Sequence, residues 1–156
     1  LFLILEENRG IRFTMYIERT EGETEWSERL YPVLHRQEAC RAVQELLEAH
    51  GCGRTLAAVR MERGFGPEID GTSGVAAILD RGIPVYLSGT VCVADECGAS
   101  KEAIAEWMAE RGFLGKIWIC RMLQIPEETE DPEKWLQENQ MQILQTEDVF
   151  LDGKGA

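Results

Sequence analysis

The sequence predicts a single α+β domain, a mixed or antiparallel sheet carrying three to four short helices. Three observations lead there. The chain has 156 residues with 44% hydrophobic and 28% charged side chains, enough to bury an independent core. Runs of strand period and helix period alternate along it, in the order ββαβαββαβαβ. No internal repeat or low-complexity segment interrupts them.

Phe2–Glu7 and Ile11–Arg19 are apolar, β-branched runs separated by Asn8-Arg9-Gly10, the pattern of a β-hairpin. In the second run Phe13, Met15 and Ile17 alternate with Arg12, Thr14, Tyr16 and Glu18. Glu21–Ser27 is polar and reads as a loop or an extended strand end. Gln37–His50 is the clearest helix, with Ala39, Val43, Leu46, Leu47 and His50 on one face and Gly51 at its end. Thr55–Glu62 predicts a third strand with Leu56 and Val59 inward. Ser73 stands where it would cap a short helix over 74–81, with Val75, Ile78 and Leu79 inward and Gly82 as its stop.

Residues 83–94 admit two readings. One is a hairpin of 83–87 with 90–94, turning at Ser88-Gly89. The other is a helix beginning near Ser88. Either way Ser100–Arg111 is a helix ended by Gly112, with Ile104, Trp107 and Met108 as its apolar stripe and Trp107 in the core. Lys116–Ile125 is apolar on both faces, as a central buried strand would be. Pro126 ends it. Asp131-Pro132 is a cap-and-proline helix start, anchored by Trp135, Leu136 and Met141, and Gln145–Leu151 predicts a last strand. The expected organisation is a core over 1–126, an acidic helix and strand over 127–151 packed on the same domain, and a frayed tail over 152–156.

Charge narrows the function classes. The net charge is −12, and it is uneven. Residues 1–60 carry ten acids and eight arginines, whereas 117–156 carry nine acids against Arg121, Lys134 and Lys154. Such a surface repels nucleic-acid phosphates and suits a basic partner or simple solubility. The apolar opening Leu1–Leu5 ends at Glu6, too short for a membrane span of about 20 residues or a signal-peptide core. A cytoplasmic protein with no membrane association is the expectation. A chain that opens on leucine reads as a fragment, a trimmed chain or one read from a non-standard start codon.

No motif for enzymatic chemistry stands out. The five cysteines form an odd set and read as reduced, buried thiols. Cys92-x4-Cys97 with His50-x-Cys52 is a poor match to structural zinc spacing, so no metal is expected. Cys97 near a helix start is offset by Asp95 and Glu96, and His35 and His50 lie in no recognisable catalytic setting. Gly64-Phe65-Gly66-Pro67 and Gly71-Thr72-Ser73-Gly74 lack the lysine and spacing of phosphate loops and read as turns. No cofactor and no catalytic residue is assigned.

Two stretches are candidate contact surfaces. The acidic run Glu127, Glu128, Glu130, Asp131 and Glu133 is either a solvated loop and helix start or a contact for a basic partner. The second stretch is VADECGASKEAIAEWMAER, residues 93–111, where Ala94, Gly98, Ile104 and Trp107 fall at the spacings of a helix-turn-helix. Over residues 88–111 the chain resembles the helix-turn-helix of bacterial and phage regulators, in which Val-Ala-x-x-x-Gly-x-Ser-x-x-x-Ile-x-x-Trp recurs. That resemblance implies a contact face of Ser100, Lys101, Glu102, Ala105 and Glu106. Its glutamates oppose phosphate contact. The expectation is therefore a non-enzymatic acidic protein that binds another macromolecule, a protein of inhibitor, immunity or regulator type before a nucleic acid. The alternatives are a helix-turn-helix DNA-binding regulator and an enzyme whose site the sequence does not display.

Overall fold

The computed structural model describes residues 2–7, 11–16, 30–65, 69, 72–127 and 129–152, the first two segments by backbone alone. Strands β1 (Phe2–Glu7) and β2 (Ile11–Tyr16) pair antiparallel as a two-stranded sheet, Leu5 opposite Phe13. The alternation expected along β2, the turn at 8–10 and the loop at 21–27 lie outside the described side chains.

Helix α1 (Tyr31–Leu34), with Pro32 in its first turn, runs into α2 (Arg36–Ala49). Ala39, Val43 and Leu47, spaced four apart on α2, are fully buried. Strand β3 (Thr55–Met61) follows, then α3 (Val75–Asp80), β4 (Val85–Ala94), α4 (Lys101–Arg111) and β5 (Phe113–Met122). Helix α5 (Pro132–Glu138), a 3-10 turn (Gln140–Gln142) and β6 (Ile143–Leu151) complete the chain.

The main sheet has the order β3-β4-β5-β6, with β4 and β5 parallel and both outer pairs antiparallel. The parallel pair is made possible by α4, which carries the chain back to the start of the sheet. This is the expected α+β domain with a mixed sheet, and five α-helices appear among the described residues rather than three to four.

Odd-numbered residues of β3, β4 and β5, among them Val59, Leu87, Val91 and Ile117, face α2, α3 and α4 in the main core. Among the described residues, the opposite face is covered only at one end. There Leu56, Cys92, Cys120, Met122 and Ile125 form a smaller core under Trp135 and Leu136 of α5. Farther along that face Trp118 is 45% exposed, so β5 is central in the sheet without being buried on both sides.

Residues 85–94 correct both earlier readings. They form one unbroken strand, neither a hairpin nor a helix. Ser88-Gly89 is not a turn. Gly89 sits mid-strand at φ 122°, and a Cβ there would collide with the Ala58 carbonyl oxygen and the Val59 Cα. Gly115 on β5 has φ 120° and presses in the same way on the Leu87 backbone. Local propensity suggested a turn, and close backbone approach inside the sheet is what the glycine serves.

Other boundaries follow local chemistry. Ser100 caps α4, its hydroxyl accepting from Ala103 N–H at 3.1 Å. Asp131 caps α5 in the same way through Lys134 N–H at 3.1 Å. Ser73 caps nothing through its side chain; its carbonyl instead receives the Tyr31 hydroxyl at 2.6 Å. Met141, expected as an anchor, is 97% exposed. Trp107 lies at the edge of the core, half-buried and stacked on His50 with ring centroids 4.3 Å apart. His50 itself is exposed.

Candidate functional site

Helix α2 presents a second stripe, Arg36, Cys40 and Gln44, one turn apart and beside its apolar face. The stripe lies along the outer edge of β3. Gln44 Oε1 accepts from Ala57 N–H at 2.9 Å, while the Cys40 thiol and Arg36 Nε both donate to the Val59 carbonyl at 3.4 Å. Backbone groups that an edge strand would leave open are thereby satisfied by side chains. Burial pushes the Cys40 thiol pKa up, so it stays a neutral donor.

Helix α5 locks onto the same edge. Glu133 in its first turn receives Arg36 Nη2 on one carboxylate oxygen and Arg60 Nη2 on the other, each at 2.5 Å. These hydrogen bonds, Arg36's foremost, hold the Glu133 carboxyl below the usual carboxylate range despite partial desolvation. Arg54 secures the preceding loop by donating to the Ile125 carbonyl at 3.4 Å and to Glu127 at 3.1 Å.

Between α1 and α2 on one side and the 126–132 loop on the other lies a cleft of about 400 Å³, floored by Thr55, Leu56 and Ala58 of β3. Arg36, Gln37 and Arg41 line the helical wall, and Glu127, Thr129, Glu130 and Asp131 the loop wall. The Thr55 hydroxyl oxygen is buried and is the one such side-chain atom without a hydrogen-bond partner among the described residues.

The structure thus divides the acidic run. Glu127, Glu130 and Asp131 border the cleft, Glu133 is turned inward onto two arginines, and Glu128 lies outside the described residues. Asp131 and Glu133 also stand where acids complement the α5 dipole.

The helix-turn-helix face fares differently. Strand β4 occupies the place of the first helix, so Ala94 and Gly98 belong to a strand end and a loop. Arg121 of β5 shapes that loop by donating to the Cys97 carbonyl at 2.7 Å and to the Ala99 carbonyl. On α4, Ala105 is buried in the core, Ser100 is the helix cap, and Lys101 pairs with Glu147 of β6 at 3.5 Å. Only Glu102 and Glu106 of that set are exposed side chains outside any described pairing. The spacing matched because a capped amphipathic helix after a glycine loop has the same pattern whatever precedes it.

Two polar groupings were not anticipated. Tyr31, His35 and Glu38 join α1 and α2 to the start of α3. His35 stacks on Tyr31 at 4.0 Å and shares a 2.9 Å hydrogen bond with Glu38, whose other oxygen accepts from Val75 N–H. Burial, then the Glu38 charge, raises the Tyr31 phenol well above its ordinary value. The His-x-x-Glu spacing was the available signal. The cysteines also sort into contacts that their spacing hid. Cys52 neighbours Cys97, and Cys92 neighbours Cys120, its register partner on the adjacent strand. Cys52 is pushed up to about 12 by burial and by Cys97. Within the second pair, Cys120 is drawn down by Cys92 and by a 3.4 Å hydrogen bond shared with the Thr146 hydroxyl, while Cys92 is raised. No cluster of three or more metal-ligating side chains occurs among the described residues, and none of their helices is long and apolar enough to cross a membrane.

No protein-family model, no curated protein and no solved structure matches the chain, so its site is read from its own geometry.

Proposed function

We propose that this protein acts without catalysis, by binding another protein, and that the cleft beside the 126–132 loop receives a basic segment of that partner. The observation that carries this reading is the position of Glu127, Glu130 and Asp131 along one wall of the cleft. The loop bearing them is held by Arg54 and by the Glu133 bridge, so its carboxylates are positioned before a partner arrives. A lysine or arginine side chain entering between the walls would meet carboxylates on the loop side. The other wall carries Gln37, Gln44, Arg41 and Arg36, the last already paired with Glu133.

The test is a photocrosslinking residue placed at Gln37, with a control at the distant Glu106. A partner trapped from Gln37 is then titrated against the wild type and against a variant combining E127Q and E130Q. Charge complementarity acts mainly on association, so the variant is expected to associate several-fold more slowly, with a flatter salt dependence and an unchanged melting temperature. Unchanged association kinetics would remove the cleft as the contact surface.

A further inference from the structure

The two edges of the main sheet are treated differently. Along β3 the stripe of Arg36, Cys40 and Gln44 seals the backbone. Along β6, nine residues long, no described hydrogen bond reaches the outer side of residues 144–150.

Which groups that side displays follows from register. Gly112 and Met122 direct their carbonyls to Val85 N–H and Asp95 N–H on the β4 side, so even-numbered residues of β5 bond toward β4. Odd-numbered ones therefore bond toward β6, where Ile117, Ile119 and Arg121 stand opposite Val149, Glu147 and Gln145. It follows that Thr146, Asp148 and Phe150 aim their backbone N–H and C=O groups outward. Exposed apolar side chains mark both ends of this edge, Met141 and Leu144 at one and Phe150, 67% exposed, at the other.

We propose that β6 is the docking edge for a second copy of this chain, paired antiparallel about a two-fold axis at Glu147. Glu147 is the midpoint of Ile143–Leu151, so this register uses the whole strand. It sets Thr146 opposite Asp148 of the second copy, a hydroxyl against a carboxylate, with both backbones offering outward groups. It also brings Phe150 beside Leu144 of the second copy, and by symmetry the reverse, so each apolar end covers the other. The two Glu147 carboxylates meet at the axis, each carrying its own Lys101 at 3.5 Å, and Lys116 likewise accompanies each Asp148 at 3.5 Å. Leu144 is the extra residue where the register with β5 shifts between Arg121 and Met122, a bulge near the start of β6.

Sedimentation equilibrium of the full chain from about 5 to about 500 μM is expected to show a monomer–dimer equilibrium. Dimer should increase as salt rises from about 0.02 to about 0.5 M, because two chains of like net charge are being joined. Amide exchange supplies the register. Gln145, Glu147 and Val149 should be protected at every concentration, and Thr146, Asp148 and Phe150 only as dimer forms. D148P removes an outward N–H that the monomer does not use and should abolish the dimer while the sheet stays folded. F150K, which leaves the backbone intact, should weaken it at least ten-fold.

A monomer at the highest concentration overturns the proposal. So does a dimer in which the even-numbered amides exchange freely and F150K has no effect, since it then uses another surface. Even-numbered amides protected in the monomer also overturn it, because the same chain then covers its own edge.

Discussion

Glu133 Oε2 accepts a hydrogen bond from Arg36 Nη2 at 2.5 Å, joining the start of α5 to the start of α2 across 97 positions of sequence. With Arg60 on the other oxygen, one carboxylate holds α5 against the β3 edge. Its partners keep it ionised in the folded chain below the pH at which a free glutamate protonates.

E133Q should therefore lower stability at neutral pH by about 0.5–1 kcal/mol, the modest figure set by solvent screening of a carboxylate still over a third exposed. The folded carboxyl titrates lower than the unfolded one. Its contribution is accordingly full above the unfolded value of about 4.3 and disappears as pH falls toward the depressed folded value. Urea melts of both proteins should differ at pH 7 and converge as pH falls through the depressed folded value. A gap that widens in acid would contradict the bridge.

Gln44→Ala should cost about 1–2 kcal/mol by leaving Ala57 N–H without its acceptor. A stability loss alone would not show that the edge had opened. The added expectation is faster exchange of the Ala57 amide and a lower concentration threshold for aggregation, both absent in a Gln37→Ala control.

Gly89→Ala and Gly115→Ala should each cost about 2–4 kcal/mol, combining a positive φ with a backbone collision. Gly98→Ala meets nothing within 4 Å of the added Cβ and has an ordinary φ, so its melting temperature should stay near that of the wild type. Equal tolerance at all three positions would rule out the close strand approach.

Trp107→Ala should cost less than Met108→Ala, although tryptophan is the larger side chain. Met108 is fully buried among the helices and the sheet, so its truncation should cost about 2–5 kcal/mol. Trp107 is half-buried and stacks on an exposed histidine, which points to about 1–2 kcal/mol for its loss. Thermal melts that rank the two in the opposite order would place Trp107 inside the core.

By itself the sequence determined the elements that rest on local chemistry. The caps at Ser100 and Asp131, the apolar spacing of Ala39, Val43 and Leu47, and the strand runs at β3, β5 and β6 are all decided by interactions a few residues apart. Such terms act in the chain before it folds, so one sequence displays them. The α+β class followed from their order. Tertiary structure decided residues 85–94, because Gly89 is explained by the Ala58 carbonyl across the sheet and by nothing adjacent in sequence. It also decided which acids remain at the cleft. Glu127, Glu130 and Glu133 look alike in the run, and only Arg36 and Arg60, supplied from α2 and β3, draw Glu133 inward. The same holds for the sheet edges: a strand's hydrophobic pattern specifies its faces, whereas which of its sides lacks a neighbour is a property of strand order alone.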